Sequence, residues 1–531
     1  MRRWNGWGDD SISTTLSEAM LAYLRDKVGP ATAPRDATLE QVLSAVPESR
    51  LPAHPLVDTW ALRRLRHASG QSFPDWIALR HGTLARFPDG VARPRDAAQV
   101  RALLEYAAAA GARVIPHGGG TSVVGHLTPP PGDAPVLTVD MRGMTRLSAI
   151  DPTSLTATFA AGASGPEIEE QLRPHGFVLG HYPQSWEYST LGGWIATRSS
   201  GQQSLRYGRI EQLFLGGRVE SPRATLELPS FPASGAGPDL RELVLGSEGR
   251  LGLITEATVR VSPRPELERF HAVFMPSWER AIKAVRELTQ ARAPLSMLRL
   301  SNARETRTQL VLSGKPRLSA ALDRFLRVRG LGATRCMVVF GVTGARDDVG
   351  RVRRAAIHAL REHGGVAAVG RQIGASWAHH RFRSPYLRNT LWAHGYGVDT
   401  CETATTWSRV TPTMEAIEEA AREALATEDE RVLAFTHLSH VYPQGSSIYS
   451  TFVYRLADGP DATLARWQRL KAAISRAIVD SEATITHQHG VGLDHRDYLP
   501  AEKGAEGIAA IQALLRHFDP DGVMNPGKLV P

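Results

Sequence analysis

The run ARVIP, residues 112–116, reads as a short buried strand, and it passes without a spacer into His117-Gly118-Gly119-Gly120-Thr121-Ser122. Three consecutive glycines let a backbone come close to a ligand and aim successive amides at it, and the two hydroxyls add donors; the combination suits a diphosphate. The spacing is neither G-x-G-x-x-G nor the P-loop pattern, which also needs a lysine. A single glycine triplet is equally an ordinary turn. The constraint on the fold comes from three further segments of the same texture. They are Gln184-Ser185-Trp186-Glu187-Tyr188-Ser189-Thr190 ahead of Leu191-Gly192-Gly193, then Thr197-Arg198-Ser199-Ser200-Gly201, then Gly246-Ser247-Glu248-Gly249-Arg250-Leu251-Gly252-Leu253-Ile254.

Composition narrows the class. The chain has 531 residues, 42% hydrophobic and 22% charged, as soluble globular proteins do. No stretch approaches the roughly 20 apolar residues of a membrane helix. Arg2-Arg3 leads into tryptophan, glycine and aspartate instead of an apolar run, so no signal peptide is expected and the protein reads as cytoplasmic. Cys336 and Cys401 are far apart, which excludes a disulfide framework and a CxxC metal site; they read as two semi-buried thiols, and no metal is expected. The net charge of +8 favours anionic partners, yet the arginines sit beside glutamates in helical segments such as RDAAQVRALLEYA. No nucleic-acid motif accompanies them, and nucleic acid is not an expected partner.

Four segments follow from the texture. Residues 1–84 look helical and irregular, with TTLSEAMLAYLRDKVG stopping at Gly29-Pro30. Residues 85–262 contain the helix DAAQVRALLEYAAAAG, the glycine segments, a helix over about 165–175, the helix-poor run RELVLGSEGRLG and the alternating strand ITEATVRV. Residues 263–480, after the break at Pro263 and Pro265, mix strands over 270–275, 337–342 and 447–454 with helices such as ERAIKAVRELTQA and EAIEEAAREALAT, an α+β pattern. Residues 481–531 carry the polar cluster THQHGVGLDHRDYL, a helix and NPGKLVP.

In order and spacing the four glycine segments resemble the FAD-binding domain of the vanillyl-alcohol oxidase and para-cresol methylhydroxylase family. The resemblance implies an α+β fold: a two-subdomain FAD-binding domain of that type, an α+β cap domain that binds substrate, a helical N-terminal extension and a C-terminal segment completing the flavin site. It also implies that the four segments wrap the pyrophosphate, ribose and isoalloxazine. Some members attach flavin through a histidine near the first loop; His117 lies outside that position, so FAD is expected to be non-covalent.

Two branches of the family compete. The D-lactate and D-2-hydroxyglutarate dehydrogenases carry metal ligands in GHxGDGNxH and a later Glu-His-Gly. The matching stretches here are Thr436-His437-Leu438-Ser439-His440 with Ile448-Tyr449, and Thr486-His487-Gln488-His489-Gly490. Tyr449 stands near the second histidine's place and the amide Gln488 in the glutamate's, so that metal site is dismantled. The same stretches resemble the alkyldihydroxyacetonephosphate synthases, as do Pro385-Tyr386-Leu387-Arg388-Asn389, Glu402-Thr403-Ala404-Thr405-Thr406-Trp407, the phrase STLGGWIATRSSG and the opening Trp4-Asn5-Gly6-Trp7-Gly8. By itself that opening reads as a hydrophobic tether, two indoles docking a loose end.

This resemblance implies an FAD-dependent transferase that exchanges the acyl chain of acyl-dihydroxyacetone phosphate for a long-chain fatty alcohol in ether lipid synthesis, with no net redox change. It implies that Arg388 holds the phosphate, that Tyr449 gives or takes a proton, and that His487 and His489 form a polar wall facing the flavin. The residue chemistry agrees, since a guanidinium fork suits phosphate and imidazoles can carry protons near neutral pH. The bland readings are a solvated helix arginine, a core tyrosine and two structural histidines. Lipid substrates with a phosphate head imply an apolar tunnel and a peripheral membrane contact; a homodimer is a further expectation. There are two departures from the synthase pattern: Gln488 removes the middle imidazole of a three-histidine run, and the ending Asn525-Pro526-Gly527-Lys528 resembles the redox members. They support the alternative of an FAD-linked oxidase or dehydrogenase of a small hydroxy acid or glycerol phosphate. A flavin-fold binding protein without catalysis is the third reading.

Overall fold

Helices begin where short polar side chains satisfy the free amides of the first turn. Asp96 accepts from the Gln99 amide at 2.8 Å, and the helix it opens, Ala97–Ala109, buries Val100, Leu103, Leu104 and Ala107. Thr190 caps Leu191–Thr197 in the same way, which fixes the turn between the second and third glycine segments. The computed structural model describes residues 2–312, 316–367 and 370–530. Among these no helix is long and apolar enough to cross a membrane.

Two sheets carry the glycine segments. In the first, Gly90–Ala92, Val136–Asp140 and Arg113–His117 run parallel. The last strand delivers the chain straight into the glycine triplet, as the sequence pattern predicts. The second is a five-stranded antiparallel sheet of Leu147–Asp151, Thr156–Ala160, Leu253–Arg260, Phe214–Glu220 and Thr225–Leu228, in that order. Two local expectations change. The N-terminal segment also contains the strand Val57–Asp58, which pairs antiparallel with Gly90–Ala92 and is too short to leave a periodic signal. The run read as helix-poor holds one helical turn, Arg241–Val244, started by the Asp239 carboxylate on the Arg241 amide at 3.0 Å.

A third, six-stranded antiparallel sheet has the order Leu267–Met275, Cys336–Gly344, Met297–Ser301, Leu433–Leu438, Gly445–Arg455, Tyr396–Thr406. Its strands alternate strictly. Leu298, Leu300, Leu438 and Ile448 face a layer of helices that contributes Ala281, Val285, Val352, Val410 and Met414. The opposite set, Arg299, Phe435, His437, Tyr449 and Thr451, faces the FAD-type half of the molecule. Cys336 and Cys401, expected half-buried, are fully buried, and burial pushes both thiols up to about 12.

The tryptophan-rich opening is a docked strap. Trp7 is 7% exposed and meets Tyr188 edge-on at 6.0 Å. Its backbone amide donates to Asn389 Oδ1 and its carbonyl accepts from Asn389 Nδ2, both at 3.0 Å. Gly6 is required there because a Cβ would sit 2.4 Å from Asn389 Oδ1, and Gly8, at φ +80°, lies against the Tyr386 ring. The tether reading therefore holds in part: one indole docks the strap into the core, while Trp4 packs on a separate small cluster of Val42, Leu65 and Leu79. Replacing Asn389 with alanine strands both backbone groups of Trp7; it is expected to lower stability by about 2 kcal/mol, read as a lower urea midpoint with an unchanged slope.

Candidate active site

The two halves enclose one cavity of about 1720 Å³, larger than the roughly 300–1,000 Å³ of an ordinary ligand pocket and roomy enough for a dinucleotide together with a second ligand. On the FAD-type side it is lined by Pro116, His117, Gly118, Gly119, Gly120, Thr121 and Ser122, by Gln184, Ser185, Ser189 and Thr190, by Thr197, Ser199 and Ser200, and by Glu248, Gly249, Gly252, Leu253 and Ile254. The loops are mutually seated. A Cβ on Gly119 would lie 1.9 Å from the Tyr188 carbonyl, and one on Gly118 would lie 2.3 Å from Thr190 Oγ1.

Six side chains expected at the flavin point elsewhere. Trp186 stacks on Phe382 at 5.1 Å, and Glu187 faces Arg383 at 3.7 Å. Tyr188 bonds the Tyr386 hydroxyl at 2.7 Å, Arg198 pairs with Glu242, Arg250 donates to the Lys528 carbonyl at 2.7 Å, and Leu251 is core. One reason is local: Arg198 adopts the left-handed conformation that ends its helix, and in the last segment Arg250 and Leu251 turn to the Lys528 carbonyl and the core while their neighbours line the cavity.

The opposite wall is the cavity face of the third sheet, and its register arranges the wall in rungs. Leu433, Val453 and Val398 lie side by side, then Phe435, Thr451 and Thr400, then His437, Tyr449 and Glu402. Polarity thus rises along the strands in three steps. The polar rung is completed by Gln488 and His489 from the C-terminal segment and by Ser439 and His440 from the turn between strands. The apolar rungs open toward Leu16, Met20 and Leu24 at the helix Glu18–Lys27.

Glu402 anchors the polar rung. Its carboxylate accepts from Ser439 at 3.0 Å and from the Gln488 amide, and lies 3.2 Å from His487 Nδ1. Burial pushes this group upward, but His487, His440 and His489 outweigh burial and hold it well below the usual carboxylate range. Gln488 also accepts from the Ser200 amide at 3.1 Å, joining the sheet to the third glycine segment. His440, stacked 5.1 Å from His487, stands among these groups with its own proton affinity pushed down to about 3 by burial. The Glu402, His440 and His487 ligand atoms lie within 4.8 Å of one another, as do those of His67, His117 and Asp140. In the first group a guanidinium nitrogen of Arg209 sits 3.3 Å from His487 Nε2, and Tyr442 bonds the same nitrogen at 2.6 Å.

Of the residues expected to do chemistry, Tyr449 and His489 line the cavity, 6.0 Å apart ring to ring. His487 does not: it stands behind the wall, held by Tyr442 and Glu402. Arg388 lines the cavity, stacked 4.2 Å over Trp76, with one nitrogen donating to the Gln71 carbonyl at 2.6 Å and its buried Nε unpartnered among the described residues. Burial lowers its affinity for the proton to about 10, so it stays charged. Glu402, His440, Arg299 and Glu305 were missed as site residues; strand register puts Glu402 and Arg299 here, the turn after Leu433–Leu438 brings His440, and the helix Ala303–Leu312 brings Glu305. The ending that resembles redox members is structural: Asn525 donates to the Glu248 carbonyl at 2.9 Å, and the buried Lys528 amine donates to the Thr128 carbonyl at 2.9 Å.

Comparison with known proteins fits this geometry. Residues 88–227 match the FAD binding domain family and residues 264–529 the C-terminal domain of FAD linked oxidases. The alkyldihydroxyacetonephosphate synthase of Trypanosoma brucei brucei is 30% identical over 573 aligned positions, covering 100% of this chain and 92% of the relative. The chain belongs to the alkyldihydroxyacetonephosphate synthase family. The Dictyostelium discoideum synthase is also 30% identical, covering 88% of this chain and 78% of its own. A solved structure of an alkyldihydroxyacetonephosphate synthase superposes with a TM-score of 0.84 at 25% identity, covering 99% of both chains. The protein is therefore an FAD-dependent enzyme of this family, with an FAD-binding half and a cap. Its cradle fits that cofactor: glycines 118 and 119 have no room for a Cβ, and the buried His117 Nδ1 and Asn525 Oδ1 have no partner among the described residues.

Gly119→Ala must push the first loop off the Tyr188 carbonyl, and the purified variant is expected to lack the flavin absorbance of the parent. Gln488→Glu would set a second carboxylate against Glu402, so one of them must hold a proton. The variant's thermal midpoint should fall at about pH 8 and recover toward about pH 5, because a raised folded-state pKa is penalised as pH rises and relieved as it falls.

Proposed function

We propose that this enzyme exchanges the acyl group of acyl-dihydroxyacetone phosphate for a long-chain fatty alcohol, in ether lipid synthesis, with FAD held non-covalently. The observation that carries the reading is the graded wall: three rungs that pass from Leu433 and Val453 to His437, Tyr449 and Glu402 across one cavity. An amphiphile with a polar head and an alkyl tail matches that gradient, and a small hydroxy acid would leave the apolar rungs empty. The names of the relatives support the same substrate class.

In this reading residues 116–122 and the cavity-lining members of the other three segments hold FAD, their amides and hydroxyls facing its phosphates. Bound FAD supplies an electron-accepting ring against which a carbon–oxygen bond is exchanged with no net oxidation. Arg388 receives the phosphate: its guanidinium is charged, locked by Trp76 and the Gln71 carbonyl, and has a free nitrogen. Tyr449 stands as the proton donor at the reacting carbon. Burial raises its phenol above the ordinary value, which keeps it protonated as a donor. His489 supports it from the polar wall. Exposed Leu318, Phe325 and Val328, 65%, 38% and 81% accessible, with Arg324 and Arg327 on the same helix, support a peripheral contact with an anionic bilayer near the mouth of the cavity.

Purified protein given palmitoyl-dihydroxyacetone phosphate and hexadecanol is expected to form the hexadecyl ether and release palmitate, and acid precipitation should leave all the flavin in the supernatant. No ether, together with bleaching of the flavin by a 2-hydroxy acid or glycerol phosphate, would establish the oxidoreductase alternative instead. Tyr449→Phe should lower the exchange by at least about 10²-fold while the flavin spectrum is unchanged.

A further inference from the structure

The exchange proposed above leaves one proton unassigned. An alcohol that attacks a carbon must lose its hydroxyl proton, and Tyr449, whose phenol burial keeps protonated, has no vacant base site to take it. A second acid–base pair lies beside it. Glu305, in the first turn of the helix Ala303–Leu312, has its amide fixed by Asn302 Oδ1 at 2.9 Å. Its Oε1 receives Arg299 at 2.6 Å and Gln309 at 2.8 Å, and lies 3.1 Å from His437 Nδ1. The His437 ring stacks on the Tyr449 ring at 4.7 Å and 20°. Glu305, His437 and Tyr449 all line the cavity.

Three features set the pair apart from a structural ion pair. Arg299 alone neutralises the Glu305 carboxylate, so the imidazole is surplus to charge balance. His437 Nδ1 and Glu305 Oε2 are buried without an aligned hydrogen bond among the described residues, a loose geometry of the kind that tightens when substrate binds. With Nδ1 turned to Glu305, Nε2 lies on the opposite edge of the ring, on a residue that faces the cavity. Burial and Arg299 lower the proton affinity of His437 despite Glu305, so the imidazole is neutral and able to accept.

We propose that His437, oriented by Glu305, is the base that takes the hydroxyl proton of the incoming fatty alcohol. The alcohol O–H bond breaks and a bond from hydrogen to Nε2 forms, the oxygen electron pair makes the new carbon–oxygen bond, and the acyl group leaves as a carboxylate with the pair of the bond it gives up. Glu305 holds Nδ1 and so orients the ring, and the imidazolium then gives its proton to solvent. No oxidant is consumed. The assignment rests on the transferase reading, and the test separates the two.

The parent enzyme and the variants His437→Gln and Glu305→Gln are assayed with palmitoyl-dihydroxyacetone phosphate and either hexadecanol or hexadecanethiol, whose proton is far more acidic. Flavin absorbance and thermal midpoint report folding. His437→Gln is expected to lose about 10²-fold in ether formation but no more than about 3-fold in thioether formation, with palmitate release in step with each product. Glu305→Gln should show the same split at smaller size, and carries the test if His437→Gln does not retain flavin. Equal losses with both nucleophiles, or no loss with the alcohol, overturn the assignment. A parent enzyme that makes neither product overturns the transferase reading itself.

Discussion

A single buried carboxylate ties the active site together. Among the described residues Glu402 has no arginine or lysine bonded to it; its charge is held by imidazoles, the Ser439 hydroxyl and the Gln488 amide. Each partner comes from a different part of the chain: the turn after one sheet strand supplies Ser439 and His440, the C-terminal segment supplies His487 and Gln488, and Gln488 reaches on to the Ser200 amide of the third glycine segment. The backbone follows the same route, with the His487 amide on the Glu402 carbonyl at 2.9 Å and the Thr484 amide on the Ala404 carbonyl at 3.2 Å. A buried carboxylate that loses one of these partners pays the full cost of its desolvation, so Glu402 holds the sheet, the C-terminal segment and the third glycine segment together.

The same geometry explains why one cavity can hold groups of such different polarity. Strand register alone sets the gradient, because residues opposite one another on antiparallel strands share a face and successive pairs on that face are two residues apart. Moving four residues along each strand, from Leu433 to His437 and from Val453 to Tyr449, carries the wall from hydrocarbon to acid–base chemistry. A slip of one residue would exchange this face for the helix-covered one of Leu438 and Ile448.

Much of the FAD-binding half was legible in the sequence because its information is local: a strand running into glycines, a capped helix and a proline break each leave a signal within about ten residues. The cap was legible as α+β, but its chemistry was not. His437 and His440 were read as remnants of a dismantled metal motif, and Glu402 only as part of a phrase shared with a family, because nothing in the linear sequence says that residues 402, 437 and 449 are neighbours on one face. His487 shows the converse error: motif position put it on the wall, whereas its bond to Tyr442 draws the ring behind it. The NPGK ending was weighed by family resemblance alone, and its bonds were not legible: Lys528 and Asn525 brace the cradle through the Thr128 and Glu248 carbonyls.

Burial sorts the polar rung into acids and bases. It raises the Tyr449 phenol and lowers the imidazoles of His437 and His489, so near neutral pH the wall presents a protonated hydroxyl between neutral rings. The carboxylates at the two ends, Glu305 and Glu402, move the other way: burial would raise them, but the cationic and imidazole partners prevail, and Glu305 is held at about 2. A row with charge fixed at its ends and proton donors and acceptors between them can move protons without changing its net charge, and groups whose environments separate their proton affinities divide naturally into donor and acceptor. That property suits an exchange in which one oxygen substituent leaves and another arrives.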